Sequence, residues 1–123
     1  MNRINVVGLA TLIAAAVVTS ATASPAHVPG NPAAGKRLWL TNLYIRPCGS
    51  CHTLKAAGSY GTFGPNLDKL KPSYAKAIRV ITNGTRATAR YRTGMPAFGG
   101  AFSKKQIQDL AAFIYISTHK LSG

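Results

Sequence analysis

The sequence has very few acidic residues. Asp68 and Asp109 are the only two among 123 residues, against 15 lysines and arginines, and the formal net charge is +13. Charge of this size concerns partners and association rates more than fold, and it suits an acidic protein or an anionic membrane surface, including peripheral membrane contact. No nucleic-acid partner is expected, because the basic residues are scattered and no nucleic-acid-binding motif is present.

The sequence also lacks a long hydrophobic run. Its longest apolar stretch, residues 4–18, has about 15 residues, whereas a membrane-spanning helix needs roughly 20. Arg3 precedes this stretch and the small-residue sequence Ala21-Thr22-Ala23 follows it, which is the order typical of a secretory signal peptide. We therefore expect residues 1–23 to be a cleaved signal peptide, with an uncleaved anchor as the alternative, and the protein to be exported to the periplasm or an equivalent extracytoplasmic space.

Strand patterns and internal repeats are absent as well. A flexible leader, residues 24–30, is expected before one domain at residues 31–123. Within that domain, caps and the 3.6-residue apolar period predict helices over residues 32–43, 73–83 and 103–118, and a short helical turn over residues 48–54. Glycine and proline indicate loops at residues 57–70 and 85–100. The predicted fold class is therefore all-α, with about four helices.

The two cysteines of the chain stand together in Cys48-Gly49-Ser50-Cys51-His52. This C-x-x-C-H spacing marks the covalent attachment of a c-type haem. Haem has vinyl groups on neighbouring pyrroles, and two thiols one helical turn apart can each add across one vinyl to form a thioether. His52 lies four residues after Cys48, near the same face, so its imidazole can reach the iron. The sequence predicts one covalent haem c.

Three other interpretations of the cysteine pair are weaker. A thioredoxin-like redox pair needs a βαβ setting, which the sequence does not suggest. A zinc site needs four ligands, and there is no third cysteine. A plain disulfide would leave His52 unexplained.

Met95 is the only methionine beyond the expected signal peptide. It stands between Gly94 and Pro96 in a predicted loop, whereas a methionine that merely fills the core would more often lie on a helical stripe. A His52–Met95 pair would fill both axial positions of the iron and raise its potential. The other histidines, His27 and His119, are expected at the surface. An iron without Met95 as a ligand stays open as an alternative.

Four segments in this order resemble the short class I cytochromes c, which are soluble single-haem electron carriers. The resemblance covers roughly residues 32–118. The segments are Cys48-Gly49-Ser50-Cys51-His52, Gly64-Pro65-Asn66-Leu67, Gly94-Met95-Pro96 and Asp109-Leu110-Ala111-Ala112-Phe113. The first segment is specific evidence for this family. The other three segments are weak evidence singly and strong evidence together.

The resemblance implies roles for further residues. The carbonyl of Pro65 would accept a hydrogen bond from the His52 ring, and Leu67 would pack on the haem. The first and last helices would cross closely, with Gly35 and Trp39 on one side and with Leu110 and Phe113 on the other. The chain departs from the family between Gly35 and Cys48, a separation longer than the usual pattern.

The resemblance implies a carrier of single electrons between redox proteins, and no enzyme activity. Its expected partners are acidic redox proteins such as a dehydrogenase, a cytochrome complex or a terminal oxidase. Three alternatives stay open. They are an open-site haem that reacts with peroxide or small gases, a thiol–disulfide exchanger, and an electron-transfer subunit of a larger oxidase or dehydrogenase.

Overall fold

The computed structural model of this chain describes residues 8–19, 27–41 and 46–119. The expected cleavage position after Ala23 lies outside these residues, and so does Leu43, the expected end of the first helix. Residues 8–19 are exposed and form neither helix nor strand. Among the described residues, no helix is both long enough and apolar enough to cross a membrane.

The described part of the domain contains four α-helices. They are α1 (Pro32–Thr41), α2 (Leu67–Leu70), α3 (Tyr74–Asn83) and α4 (Lys104–His119). Two 3₁₀ turns, Cys48–Ser50 and Lys55–Ala57, and two short strands, β1 (Thr53–Leu54) and β2 (Ser59–Tyr60), lie between α1 and α2. The prediction of an all-α fold with about four helices is confirmed.

The helices begin where the sequence supplies caps. The side chain of Asn31 accepts a hydrogen bond from the backbone N–H of Ala34 at 3.1 Å, at the start of α1. At the start of α4, Ser103 and Gln106 exchange hydrogen bonds of 3.1 and 2.8 Å between side chain and backbone. This is the predicted capping box, which satisfies N–H groups that have no partner within the helix.

Helices α1 and α4 cross at close range. A Cβ atom added to Gly35 would lie 2.5 Å from the carbonyl carbon of Asp109 and 2.9 Å from Cβ of Phe113, so only glycine fits there. Trp39 meets Phe113 edge to face with ring centroids 6.2 Å apart. The crossing at Gly35 and Trp39 that the resemblance implied is present, and Leu110 of α4 is buried in the hydrophobic core.

A buried carboxylate fastens the start of α1 to α4. The side chain of Asp109 accepts a hydrogen bond from the backbone N–H of Asn31 at 2.7 Å and pairs with Lys105 Nζ at 2.8 Å. Gly30, which the sequence assigned to a flexible leader, lies against the α4 backbone, since an added Cβ would be 2.6 Å from the carbonyl carbon of Gln108. The helical domain is therefore anchored from Gly30 onward.

Two local predictions were wrong. The predicted loop 57–70 contains α2, because Asn66 caps it by accepting a hydrogen bond from Lys69 N–H at 3.1 Å and because Leu67 is buried. Leu54, predicted to lie in a helical turn, instead belongs to β1, which pairs antiparallel with β2. Gly58 closes this hairpin with a left-handed backbone, φ +63°.

Candidate functional site

The C-x-x-C-H motif forms a single tight turn. Pro47 precedes it, and the backbone N–H groups of Cys51 and His52 both donate to the carbonyl of Cys48, at 3.2 and 3.0 Å. Cys48 and Cys51 are half-buried thiols. The structure therefore brings the two predicted anchoring sulfurs and His52 together within one helical turn.

Glycines allow the following loop to pack directly on this turn. A Cβ added to Gly61 would lie 2.6 Å from the carbonyl oxygen of Gly49 and 2.7 Å from the carbonyl carbon of Cys51. One added to Gly49 would lie 2.8 Å from Cβ of Ser59. The sequence argument treated Gly61 as a loop residue and Gly49 as part of the motif, and it missed their role in packing.

The His52 ring is held by two neighbours in the next segment. Its Nδ1 lies 2.8 Å from the carbonyl oxygen of Pro65. A carbonyl only accepts hydrogen bonds, so Nδ1 carries the hydrogen and Nε2 keeps its lone pair. Gly64 lies flat against the ring, since an added Cβ would be 2.8 Å from Cε1. The Pro65 contact implied by the resemblance is present.

Burial favours the neutral form of the His52 imidazole. Desolvation lowers its pKa below the ordinary value and outweighs the hydrogen bond to Pro65, which acts in the opposite direction. Neutral imidazole is the form that binds metal, because a protonated ring has no free lone pair. The ring thus has the tautomer and the charge state of an iron ligand.

Trp39 connects the helical core to the same turn. Its indole Nε1 donates to Ser59 Oγ at 2.8 Å, and its ring centroid lies 6.4 Å from that of His52. Trp39 is almost completely buried. Sequence reasoning placed Trp39 in the helix crossing and missed its hydrogen bond to Ser59, since nothing in either residue marks the other as its partner.

Met95 is fixed through its backbone. Thr85 N–H donates to the Met95 carbonyl at 2.9 Å, and Met95 N–H donates to Thr85 Oγ1 at 3.3 Å. A Cβ on Gly84, which has φ +66°, would lie 2.8 Å from the backbone nitrogen of Ala97. The Met95 side chain is half-buried and packs against the hydrophobic core, as does Cys48. The Met95 segment and the turn that begins at Cys48 therefore border the same hydrophobic core.

The other residues considered in the sequence analysis lie in three different environments. Leu67 is buried in the core at the start of α2. His27 is exposed. The His119 ring packs on Tyr115 with centroids 4.2 Å apart, and its Nδ1 lies 3.0 Å from the Tyr115 carbonyl oxygen. His119 thus has local partners on its own helix.

The donor set fits haem c better than a simple metal ion. Within residues 8–19, 27–41 and 46–119, no three histidine, cysteine or acidic side chains gather into a metal site. Two thiols one turn apart and a neutral imidazole with Nε2 available match the two vinyl groups and the iron of a haem. The residues present therefore suit covalent attachment of this group.

Comparison with known proteins agrees with this geometry. Residues 30–114 match the family model described as cytochrome c oxidase, cbb3-type, subunit III. A solved structure, the c-type cytochrome SorU from Sinorhizobium meliloti, is 30% identical to this chain. The match covers 71% of this chain and 90% of SorU with a TM-score of 0.58. No curated protein matches the chain.

The helical fold and its C-x-x-C-H turn define a small domain of the cytochrome c class. Because the family model covers well over half of its length, the chain belongs to the family of the cbb3-type cytochrome c oxidase subunit III domain. This confirms the resemblance to small c-type cytochromes drawn from the sequence.

Proposed function

We propose that this protein is an exported electron carrier with one haem c. Cys48 and Cys51 would hold the macrocycle by thioether bonds, and His52 and Met95 would bind its iron. The observation that carries the proposal is the His52 ring, whose Nδ1 bonds to Pro65 and whose Nε2 is left for the metal. Pro65 acts by fixing the ring, and Leu67 packs beside it.

The bound haem supplies reversible one-electron exchange at its iron. The protein's residues determine how the haem is held. The thioethers tie it to the tight turn, the Pro65 carbonyl sets the orientation and tautomer of the imidazole, and the backbone bonds to Thr85 hold the Met95 segment in one place. Fixed ligands need little rearrangement when an electron is gained or lost, which suits a carrier.

A carrier without enzymatic activity follows from this ligand set. With His52 and Met95 both bound to it, the iron would offer no site to a substrate, and the haem would supply one-electron exchange alone. The excess of positive charge favours acidic redox proteins as partners. Residues 1–23 are proposed to direct export, which places the carrier in the periplasm or an equivalent compartment.

Replacement of Met95 tests the proposal. Purified wild-type protein should contain one covalent haem and show the weak far-red absorption band of methionine bound to ferric iron. The change Met95→Ala should leave the haem attached, remove this band, lower the potential and allow rapid binding of cyanide or imidazole.

The change Ile78→Ala serves as a control for Met95→Ala. Ile78 is another half-buried side chain packed on the same core, and its truncation should leave the band and the ligand binding unchanged. An unchanged band and potential in Met95→Ala would exclude Met95 as a ligand. Ready ligand binding by wild-type protein would favour an open-site haem protein instead.

The description of the matching family favours one second candidate. It names an oxidase subunit, so the same haem domain could pass electrons within a larger assembly. Size-exclusion chromatography of the native material distinguishes the two. A free carrier elutes near the size of a domain of about 100 residues, whereas a subunit elutes with its assembly.

A further inference from the structure

Two exposed aromatic side chains lie close together in the sequence, Tyr60 at the end of β2 and Phe63 in the loop that follows it. Within residues 27–41 and 46–119, four large hydrophobic side chains are exposed: Leu40, Tyr60, Phe63 and Leu70. Tyr60 is 67% exposed and Phe63 is 65% exposed, and they are three positions apart. Single apolar residues on a surface need no explanation, but neighbouring exposed aromatics are typical of contact sites.

This loop is fixed against the proposed haem-attachment turn. Tyr60 pairs across the hairpin with Thr53, the residue directly after His52. Between the two aromatics, Gly61 packs on the backbone of Gly49 and Cys51, and Gly64, just beyond them, packs on the His52 ring. A protein seated on Tyr60 and Phe63 would therefore lie next to the sulfur-bearing turn.

Positive charge borders the same loop. Lys55 follows β1 directly, and its backbone N–H donates to Asp68 Oδ2 at 3.0 Å, which holds α2 beside the hairpin. Lys69 and Lys71, on and just after α2, are exposed, as is Lys55. Asp68 is half-buried and is the single acidic residue here, so the local charge is positive.

We propose that Tyr60, Phe63, Lys55, Lys69 and Lys71, the aromatic–lysine patch, form the docking surface for an acidic redox protein. The partner would present an apolar contact area bordered by carboxylates. The lysines would raise the rate of encounter through long-range attraction, and the aromatics would expel water at the contact. A contact built on two aromatics and three lysines is small, and small interfaces are typical of short-lived complexes between redox proteins. The proposal rests on the proposed function as an electron carrier.

Voltammetry on coated gold electrodes tests the patch with a defined probe. One coating mixes carboxylate- and methyl-terminated alkanethiols, and the other has carboxylates alone. The double change Tyr60→Ser and Phe63→Ser should lower the electron-transfer rate on the mixed coating by about fivefold or more. On the carboxylate coating the rate should stay within about twofold, since the lysines are retained.

Leu40→Ser is the matched control, because Leu40 is an apolar side chain exposed to a similar degree on α1. It should leave both rates unchanged. Phe63→Ser alone should produce a smaller decrease than the double change, and circular dichroism checks that each variant is folded. Equal rates for wild type and the double variant on the mixed coating would overturn the proposal, as would an equal loss with Leu40→Ser.

Two further measurements test the carrier function and self-association separately from docking. Haem content and reduction by ascorbate test the carrier function itself, so a colourless protein refutes that function and not merely the patch. Sedimentation velocity tests whether the patch binds a second copy of this chain. A wild-type dimer that disappears in the double variant would assign Tyr60 and Phe63 to self-association and overturn docking of an acidic partner.

Discussion

The α1–α4 crossing and the proposed haem-attachment segment, residues 48–52, are built in different ways. At the crossing, groups of the protein contact one another: Gly35 admits the α4 backbone, Trp39 packs on Phe113, and the buried Asp109 bonds to the Asn31 backbone and to Lys105. In the attachment segment, the thiols of Cys48 and Cys51 are half-buried and His52 Nε2 is left for a ligand. The crossing is stabilised by contacts within the protein, whereas the second region carries the groups that we propose to bind haem.

This difference predicts two kinds of mutational effect. Changes at the crossing should lower the free energy of unfolding and leave the spectrum and potential of the haem unaltered. Changes in the attachment segment should alter the haem first and stability as a consequence, because a bound cofactor stabilises only the folded state. The following variants test this separation.

Removal of the proposed proximal ligand should have the largest effect. His52→Ala is expected to yield little or no mature haem protein, since the iron loses the ligand that positions it between the two thioethers. Haem staining and intact mass measure the attached fraction. His119→Ala is the control and should retain its haem, because the His119 ring is held by Tyr115 on α4. Normal haem content in His52→Ala would contradict the assigned role.

Gly35→Ala should break the crossing. The added Cβ would lie 2.5 Å from the carbonyl carbon of Asp109, so the helices must separate, and we expect a loss of about 3 kcal/mol in unfolding free energy. Denaturant titration measures the loss, and voltammetry should show an unchanged potential. Gly100→Ala, where no atom lies within 4 Å of the added Cβ, should be nearly neutral. A large shift in potential would show that the two regions are coupled.

Asp109→Asn should weaken the same crossing in a pH-dependent way. Burial tends to raise the pKa of Asp109, but the hydrogen bonds from Lys105 and Asn31 and the positive charges of Lys105 and Arg37 hold it below the ordinary value. A lowered carboxyl pKa contributes stability above the unfolded-state pKa and loses it as the pH falls through the folded-state pKa.

The expected cost of Asp109→Asn is about 1–3 kcal/mol at neutral pH. Unfolding titrations from neutral to acidic pH should show this difference shrinking as acid protonates the wild-type carboxylate. Asp68→Asn serves as the control, since Asp68 is less buried and bonds at an exposed site. A difference that grows toward low pH would contradict the assigned charge state of Asp109.

Ser59→Ala should have the smallest effect and should act on both regions. The change removes the acceptor of the Trp39 indole hydrogen bond, which links α1 to the hairpin beside the attachment turn. We expect a loss of about 1 kcal/mol in stability together with a small shift in potential. Ser50→Ala, which removes an exposed bond to the Pro47 carbonyl, is the comparison. A stability loss with no shift in potential would place Ser59 wholly with the crossing.

The sequence predicted the parts of the fold that depend on neighbouring residues. The caps at Asn31 and Ser103 and the turn at Cys48–Ser50 follow from local spacing, so they appear as expected. Four-residue α2 and the two-residue strands are too short to give a recognisable period, and they were missed. Asp109 was visible in the sequence, but its partner Asn31 is 78 positions away, and no local pattern joins them.

The candidate site was predictable in its chemistry and less so in its packing. The motif and the resemblance gave Cys48, Cys51, His52, Pro65, Leu67 and Met95, and the structure adds the close contacts of Gly49, Gly61 and Gly64. A glycine that permits close approach of two chains looks the same in sequence as one that permits a turn. Only three-dimensional structure separates these two uses.

The hydrogen bonds between Thr85 and Met95 have a practical consequence. They close the neck of the loop at residues 86–94, and a second turn, where Thr88 N–H donates to the Tyr91 carbonyl at 2.8 Å, shapes its tip. With the neck fastened, extra residues at the tip incur only the slowly growing entropy of a longer loop. The tip is therefore a suitable place to insert a tag that attaches the protein to an electrode surface, because an insertion there should leave Met95 in its position.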